Sequence, residues 1–374
     1  MKDNQLLIKV IGVGGCGCNT VSNIEKQYSE ILGPNFEFYG VDTDFISLAN
    51  QGVSNKVQIG TLGIGTAKDP MKGAEAAQKS IQQIKEMIQG VDIAILCAGL
   101  SGGTGSGATG VIAQAAAGNP GCVVMASVTL PFYYDDQKKQ EAAKAALRNI
   151  KEVVPVVLPV QNGVGIEDEN VPFLEVLRAT DRNVISLLEM IKVITGSTST
   201  ESLDFSEFLS VASTPGNAMI GIGEADGEQA VSVAISLARA PKNMSYGDYS
   251  LKDASKLALM IMGNGGISYK QIKDARTTLQ NEIGYQTEVF NGLYVDNSLE
   301  KVKVIMFATG MNDPKEISAP SFQTEMTVAG PGDQVEMGFL SADEGYFKGT
   351  APAYFENINY DRPTFLRKNL RIEQ

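Results

Sequence analysis

Apolar runs along the first half of the chain alternate with segments whose apolar residues recur every three or four positions. The runs "LLIKVIGV" (6–13), "VDIAILCAG" (91–99) and "CVVMASVTL" (122–130) have almost no polar position inside them, as is typical of strands buried on both faces. The first is followed by a helical pattern in which Val21 and Ile24 share one face. Strand and helix in alternation predict a parallel sheet covered by helices on both sides.

Two more apolar stretches, "FEFYGVDTD" (36–44) and "VPVVLPV" (154–160), extend this alternation, with a helix predicted at about 71–89. A longer helical pattern runs from Phe173 to Ile191 and stops at the helix-breaking cluster "TGSTSTES". The sequence therefore predicts a doubly wound parallel sheet followed by a long central helix.

From about residue 218 the pattern of apolar and polar residues changes. "AMIGIGEA", "KLALMIMGN" and "KVKVIMFATG" predict strands, with helices at about 227–239 and 268–282, which indicates a smaller α+β domain. Residues 312–359 carry eight acidic and two basic residues, as an acidic linker would, whereas the last fifteen residues carry four basic and two acidic ones. The predicted division is a first domain at 1–170, a central helix and connection at 171–200, a second domain at 201–311, a linker at 312–359 and a tail peptide at 360–374.

The amino-acid composition excludes several kinds of site and partner. The 374 residues include no His, so proton transfer or metal binding through His is excluded, and we expect no metal site built by protein ligands alone. A net charge of −12 argues against non-specific nucleic-acid binding. Four Cys make no disulfide framework in a chain of this length. With no signal-like segment and no run of eighteen apolar residues, we expect a cytoplasmic protein without direct membrane insertion.

The main chemical signal is a set of glycine-rich turns. Gly12-x-Gly14-x-x-Gly17 joins a strand to a helix, which is the dinucleotide-binding pattern and suggests an NAD-dependent oxidoreductase as one interpretation. A second turn, "SGGTGSG" (101–107), follows another buried strand and opens an alanine-rich helix. A third, "GTLGIGTAKDP" (60–70), follows "KVQI".

One such turn is explained by tight packing alone, but three at the carboxyl ends of strands suggest a triphosphate held from several sides by backbone N–H groups. On this hypothesis a Cβ at Gly103 or Gly105 would obstruct the phosphate, and Gly105→Ala should lose nucleotide binding while keeping the fold.

The order of these motifs resembles the tubulin/FtsZ family. "GGTGSG" matches the family signature, and "IKVIGVGGCGCN", "GVDTD", "LGIG", "LPFYYDDQKK", "ESLDFSEF" and "YDRPTFLRKN" are similar to its other loops and its C-terminal peptide. The resemblance covers about residues 6–311 and 360–369.

The resemblance implies GTP or GDP as the ligand, with Mg²⁺, and assigns residues to it. Asp181 would contact guanine, with Asn183 as a competitor if the helix register differs; Asp135 would meet the ribose and Asn162 the edge of the nucleotide. The remaining expected contacts are Gly14, Gly15, Gly17, Asn19, Asp42, Gly63, Gly65, Gly102, Gly103, Thr104, Gly105 and Ser106.

The resemblance also implies an active site completed by a second subunit. Asp204, Glu207 and Ser202 would orient a water against the γ-phosphate of the next subunit in a filament. Without the other motifs, Asp204 and Glu207 at a helix start would be explained by stabilisation of the helix dipole. The chain departs from the family at Ser202, where Asn is usual, at Glu207 and Asp135, where Asp and Glu are usual, and at Asp42, Gln140, Cys16 and Cys18. These changes suggest slow turnover with nucleotide binding intact.

The expected function is that of a GTP-hydrolysing protein that forms head-to-tail filaments and organises the division ring at mid-cell. Residues 360–369 would bind a membrane-tethering adaptor, unless Phe365 and Leu366 fold back onto the body. The alternatives are a slowly hydrolysing paralogue acting as a scaffold or in plasmid partition and, more distantly, the NAD-dependent oxidoreductase.

Overall fold

The computed structural model describes residues 6–163, 170–196, 203–240 and 250–312, and the backbone at 354–355 and 358–359. The strands of its main sheet are β1 Ile8–Val13, β2 Phe36–Asp42, β3 Asn55–Gln58, β4 Ile93–Gly99, β5 Val123–Leu130, β6 Val156–Gln161, β7 Gly216–Ala225, β8 Lys256–Gly263, β9 Glu288–Val295 and β10 Val302–Met311. The helices are α1 Gly14–Leu32, α2 Phe45–Ala49, α3 Pro70–Lys79, α4 Ile81–Met87, α5 Gly103–Ala117, α6 Gln137–Lys151, α7 Phe173–Ala179, α8 Asp181–Gly196, α9 Phe205–Ala212, α10 Ala230–Ala238 and α11 Tyr269–Ile283.

The first six strands are parallel and lie in the order β3-β2-β1-β4-β5-β6. The chain starts in the middle of this sheet, moves outward to β3, and then returns to the other side of β1. Such a reversal separates the connections that follow β1 and β4 and opens a crevice at the carboxyl ends of these two strands. The predicted doubly wound sheet is confirmed, and its crevice lies where the first two glycine turns begin.

The sheet continues into the second half of the chain. β7 joins β6 through two parallel register pairs, Val156 with Gly216 and Val157 with Asn217. β10 lies antiparallel between β7 and β8, and β9 forms the far edge beside β8. The mixed α+β character expected here is confirmed, although β9 is an additional strand that the sequence did not indicate.

Three hydrophobic clusters hold these layers together. One packs α1, α8 and α9 against one face of the sheet and includes buried residues from both halves, among them Leu187 on α8, Leu158 on β6 and Phe307 on β10. A second lies on the opposite face, around α4, α5 and α6. The third fills the space between α10, α11 and the strands of the second half.

Two predicted helices are divided. The segment expected at 71–89 forms α3 and α4, which meet at Ser80, whose hydroxyl accepts a hydrogen bond from the N–H of Gly60 (2.9 Å). The long central pattern forms α7 and α8, separated by Thr180, whose Oγ1 donates to the carbonyl of Leu177 (2.8 Å). The central helix itself is α8, because α7 buries none of its side chains and α8 buries a full face.

The chain separates into two compact units, residues 1–316 and 317–374. In the second unit, β11 Tyr354–Phe355 and β12 Ile358–Asn359 pair in antiparallel fashion. The rest of the expected linker beyond residue 312 and the whole tail peptide lie outside the described residues. Among the helices that are described, none is long and apolar enough to span a membrane.

Candidate functional site

Two helices begin side by side in the crevice. α1 starts at Gly14 directly after β1, and α5 starts at Gly103 after β4. Gly14 has a φ of +72°, and a Cβ built on it would lie 2.9 Å from the backbone nitrogen of Gly105, so the two turns are in contact. Neither helix has a side-chain cap at its N-terminus, since Val13 and Gly102 occupy the capping positions. Uncapped N–H groups at paired helix N-termini favour a bound anion.

The glycines of these turns serve two different purposes. At Gly17 a Cβ would collide with the carbonyl of Cys97, and at Gly105 it would lie 2.6 Å from the carbonyl oxygen of Gly99. By contrast, a Cβ on Gly102 would meet nothing within 4 Å, and one on Gly15 would meet only Ser47 Oγ, at 3.8 Å. Gly15 and Gly102 therefore border open space, whereas Gly17 and Gly105 allow backbones to pack closely.

This distinction corrects one expectation from the sequence. Gly105→Ala cannot leave the fold unstrained, because the added methyl group would press on backbone atoms of Gly99 and Val13. The same holds for Gly103, where a Cβ would collide with Thr66 Oγ1 and lie 2.6 Å from backbone atoms of Asp69. Neither glycine can report on ligand contact by an alanine substitution.

The third glycine turn folds against the other two. Gly63 and Gly65 have positive φ values (66° and 75°), and the carbonyl of Gly63 accepts from the N–H of Phe45 (3.0 Å). Ala67 and Lys68 are also left-handed, with φ values of 50° and 64°, a conformation that costs non-glycine residues of order 1–3 kcal/mol each. The turn ends at the N-terminus of α3, which packs on α5.

Polar groups at the end of β2 connect this strand to the third turn, through the N–H of Gly65 and the carbonyl of Thr43 (3.3 Å), and to the start of α5. Thr43 Oγ1 and Thr104 Oγ1 are 2.7 Å apart and hydrogen-bonded. The buried carboxylate of Asp42 accepts from the N–H groups of Thr43 (2.7 Å) and Asp44 (3.4 Å). Burial raises the pKa of Asp42 above its ordinary value, although these hydrogen bonds oppose the rise.

A second polar group lies at the start of α8. Asp181 is buried, and its Oδ2 accepts from Asn23 Nδ2 (3.0 Å), while the Thr20 hydroxyl is a further partner. Burial raises the pKa of Asp181, with the hydrogen bonds from Asn23 and Thr20 acting in the opposite direction. Asn183 is also buried, and Asn19 is exposed on α1. Sequence reasoning missed Thr20 and Asn23, which lie three residues apart on α1 and thus on one face.

The expected ribose-side residues follow β5 and β6. Asp135 accepts from the N–H of Phe132 (2.9 Å) and forms an ion pair with Lys139 (2.8 Å). The N–H of Asn162 donates to the carbonyl of Leu130 (3.2 Å), which ties its loop to the end of β5. Both residues lie at the same edge of the sheet as the glycine turns, with the Asp135 carboxylate already used inside its own loop.

The acid pair expected to act in hydrolysis forms a capping box on α9. Asp204 Oδ1 accepts from the N–H of Glu207 (2.8 Å), and Glu207 Oε2 accepts from the N–H of Asp204 (3.0 Å). Hydrogen bonds from Glu207 and Ser206 lower the pKa of Asp204, which is therefore a carboxylate at neutral pH. Ser202 lies outside the described residues.

The acid pair and the glycine turns occupy separate parts of the molecule. α8 begins beside α1 at Asp181 and, with sixteen residues, carries the chain about 24 Å before α9. The described hydrogen bonds of Asp204 and Glu207 stay within their own segment. Among the described residues, no group of three or more carboxylates or thiols is placed to hold a metal ion.

Exposed apolar side chains flank the glycine turns on the side of β2 and β3. We call this group the β2–β3 apolar patch. It belongs to α2 and to the turn after β3, which are joined by the hydrogen bond between Phe45 and Gly63. Its members are Phe45, Ile46, Leu62 and Ile64.

A second exposed group, the aromatic patch, lies on the side of β5 and β6. Tyr134 stacks on the buried Phe132 with ring centroids 5.0 Å apart, and Phe173 packs on the same ring at 5.5 Å. Tyr133 contacts Tyr134 edge-on. Because the strand order is β3-β2-β1-β4-β5-β6, the two patches lie on either side of the turns that follow β1 and β4.

Comparison with known proteins bears on this geometry. The profile of the "Tubulin/FtsZ family, GTPase domain" matches residues 7–165, which include all three glycine turns. A curated relative, "Cell division protein FtsZ 2" of Rhizobium meliloti (strain 1021), is 30% identical over 330 residues, covering 86% of this chain and 93% of the relative.

Solved structures agree with the fold. A point mutant of FtsZ from M. jannaschii superposes with a TM-score of 0.71 at 26% identity, covering 83% of this chain and 92% of that one. An empty FtsZ dimer from the same organism gives 0.69 at 27% identity, with coverage of 83% and 89%. CetZ2 from Haloferax volcanii, a GTPγS-bound protofilament, gives 0.68 at 20% identity, covering 83% and 95%, and so supports the fold alone.

The profile spans the part of the chain that builds the crevice, and the similarity to FtsZ 2 extends through both halves of the sheet. This chain therefore belongs to the tubulin/FtsZ family of GTPases.

Proposed function

We propose that this protein binds GTP, hydrolyses it to GDP and phosphate, and assembles into head-to-tail filaments that organise a bacterial division ring. The observation that carries the proposal is the contact between two uncapped helix N-termini, at Gly14 and Gly103, beside open space at Gly15 and Gly102. An anion placed there would accept backbone N–H groups from both helices and gain from both dipoles. Thr104 and Ser106 would add hydroxyl donors from the first turn of α5.

Guanine would be selected by Asp181. Its buried carboxylate accepts hydrogen bonds, and guanine offers donors at N1 and N2 where adenine offers an acceptor at N1. A buried acceptor left without its donor is costly, so the wrong base is rejected. Asn23 and Thr20 position the carboxylate from α1. Asn183 stays an alternative for this contact.

Hydrolysis would take place between subunits. The acid pair of α9 is about 24 Å of helix away from the residue proposed for guanine, so a neighbouring subunit must supply it. A docked neighbour would also cover the β2–β3 apolar patch and the aromatic patch, which flank the nucleotide site and leave large apolar side chains exposed. Although each acid accepts one backbone N–H, a carboxylate has further lone pairs with which to orient a water for in-line attack.

The nucleotide would carry Mg²⁺, which offsets phosphate charge when bound. Oxygen donors suit this ion, and it commonly takes few protein ligands together with phosphate oxygens. Asp42, Thr43 and Thr104 supply such oxygens beside the start of α5, and these are the residues that would hold it.

The location and the adaptor are inferred from the sequence alone. We propose that the filaments form in the cytoplasm at mid-cell and that residues 360–369 bind a membrane-tethering adaptor. The segment combines Phe365 and Leu366 with Arg367 and Lys368, a composition suited to an apolar groove with an acidic rim.

A slowly hydrolysing scaffold or partition paralogue stays the second candidate. The observation in its favour is the use of both acids in the capping box, together with Glu207 in place of the usual Asp. Membership of a GTPase family displaces the oxidoreductase interpretation.

Two measurements test the proposal. The nucleotide released from purified protein should be guanine nucleotide, and GTPase activity per subunit should rise steeply above the concentration at which filaments scatter light. Release of a dinucleotide, or activity that stays flat while filaments form, would contradict it. Filaments with GTP bound but almost no phosphate release would favour the scaffold.

A further inference from the structure

The sheet has an incomplete edge near its start. β3 pairs with only the last four residues of β2, from Tyr39 to Asp42. Phe36, Glu37 and Phe38 thus pair with β1 on one side and, among the described strands, with nothing on the other. This leaves about 10 Å of strand edge open.

Four backbone groups of Phe36 and Phe38 face this opening, and two of them already have hydrogen-bond partners. The carbonyl of Phe38 points outward, because it accepts from Asn55 Nδ2 (2.9 Å), and the N–H of Phe36 donates to the carbonyl of Gly33 (3.3 Å). In a parallel strand each residue directs its N–H and C=O to the same side. The N–H of Phe38 and the C=O of Phe36 therefore face the opening.

A groove of about 490 Å³ lies along this edge, between β2 and α1. We call it the β2 edge groove. Phe36 and Phe38 belong to its lining, and α1 contributes Glu25 and Glu30. None of the described residues that line it is Lys or Arg.

The negative charge of the groove is only partly balanced. Glu37 forms an ion pair with Lys9 (3.3 Å) and accepts from the Tyr39 hydroxyl (3.1 Å). Within the described part of the chain, Glu25 accepts one hydrogen bond, from the neutral N–H of Ser54 (2.9 Å), and Glu30 is exposed. Two carboxylates of α1 are thus left to attract cations to an apolar floor.

We propose that the β2 edge groove binds an extended, cationic peptide segment of a partner protein, added as a short strand beside β2. Main-chain hydrogen bonds to Phe36 and Phe38 would provide the pairing. Lysine or arginine side chains could lay their apolar stems along the groove while their charges meet Glu25 and Glu30. A second copy of this chain fits less well, because its net charge of −12 opposes approach to an acidic groove.

The test uses the full-length protein and a fluorescent heptapeptide in which Lys alternates with Thr or Val. Fluorescence anisotropy should show saturable binding. Glu30→Lys should weaken it about tenfold, as expected for reversal of a charge at an interface. Glu86→Lys is the matched control, an exposed Glu on α4 at the opposite face of the sheet, and it should leave binding unchanged. Because both positions are exposed, neither substitution disturbs the core.

A second peptide, with Pro at its central position, separates strand addition from charge attraction. It keeps every Lys but lacks one N–H and cannot continue a ladder, so it should bind at least about tenfold more weakly. Equal binding of the two peptides, or equal effects of Glu30→Lys and Glu86→Lys, would overturn the proposal. So would a failure of the peptide to bind while Glu30→Lys alters association between filaments, which would assign the groove to a second copy.

Discussion

The N-termini of α5 and α9 show two solutions to the same problem. Each helix begins with N–H groups that have no partner within the helix. α9 satisfies them with its own carboxylates, since Asp204 and Glu207 form a reciprocal capping box. α5 begins after Gly102, which has no side chain to offer, and α1 begins after Val13, whose side chain does not cap it.

The difference distinguishes α9, which supplies negative charge at its own N-terminus, from α1 and α5, which leave space there for a negatively charged ligand. The start of α9 is capped by its own side chains, while we propose that the starts of α1 and α5 are completed by a bound anion. It also shows why acids at a helix start are ambiguous in a sequence. Asp204 and Glu207 cap α9 whatever else they do, so a catalytic role has to be separated from the capping role by experiment.

The largest expected effect comes from giving α5 a cap of its own. In Gly102→Asp the added Cβ has no atom of the described residues within 4 Å, and the substitution places a carboxylate near the position where we propose phosphate binds. Two like charges about 4 Å apart repel by about 4 kcal/mol at an effective dielectric constant of 20, so GTP affinity should fall about a thousandfold. Stability without nucleotide should rise by a few tenths of a kcal/mol. Titration with a fluorescent GTP analogue and thermal unfolding measure the two effects.

Gly102→Asn is the control for this substitution, since Asn caps as well as Asp but carries no charge. It should lose much less affinity. Wild-type GTP affinity in a folded Gly102→Asp protein would show that the anion does not lie at this helix end.

Asp204→Asn separates capping from hydrolysis at α9. The amide keeps the cap, so unfolding should change little, but it removes the charge that would orient water, and GTPase activity in filaments should fall about a hundredfold. Asp204→Ala should lose the activity and should also be less stable than Asp204→Asn, because it removes the cap. Phosphate release and urea unfolding are measured on both variants. If Asp204→Asn hydrolyses GTP normally, the acid pair is a cap and nothing more.

A smaller effect is expected at Asp181, where burial raises the pKa of the carboxyl group. The folded protein then binds this proton more tightly than the unfolded chain, so the contribution of Asp181 to stability decreases as pH rises from about 4 to its folded pKa. Without nucleotide, Asp181→Asn should therefore become more stable than the wild type over that interval and keep the advantage at neutral pH. Its preference for GTP over ATP should drop about tenfold.

Urea unfolding from pH 3.5 to 7.5 and competition between GTP and ATP test this prediction. A stability difference that does not vary with pH would mean that the carboxyl group titrates alike in the folded and unfolded chain. If the preference for GTP is unchanged, the guanine contact is assigned to Asn183 instead of Asp181.

Strands β1, β4, β5 and β6 could be predicted from the sequence because they are largely buried on both faces and therefore appear as nearly unbroken apolar runs. β9 could not. Its sequence "EVFNGLYV" carries Asn291-Gly292 in the middle, which is a turn signal. In the structure, Gly292 allows Leu203 to approach the strand closely. That contact joins residues almost ninety positions apart, and no local pattern reveals it.

The residues of the candidate site could also be predicted only in part, because some of their contacts come from residues distant in sequence. The glycine spacing locates the turns, but which glycines border open space depends on residues distant in sequence. A side chain at position 105 is excluded by the carbonyls of Gly99 and Val13, while a Cβ at Gly102 has no neighbour within 4 Å. Thr20 and Asn23 were also missed, because their role depends on Asp181 about 160 residues further along the chain.

The cluster that surrounds α8 has a consequence for how the protein folds and how it can be divided. The buried apolar residues of α8 belong to one hydrophobic cluster with side chains of β1, β4 and β6 and with those of β7, β8 and β10. Expression of residues 1–200 alone would remove the side chains of β7, β8 and β10 from the cluster that contains Leu187, Leu188 and Ile191, and we expect such a fragment to aggregate. We therefore expect the two halves to unfold together, and recombination with a relative to succeed only when α8 is transferred together with the strands on both of its sides.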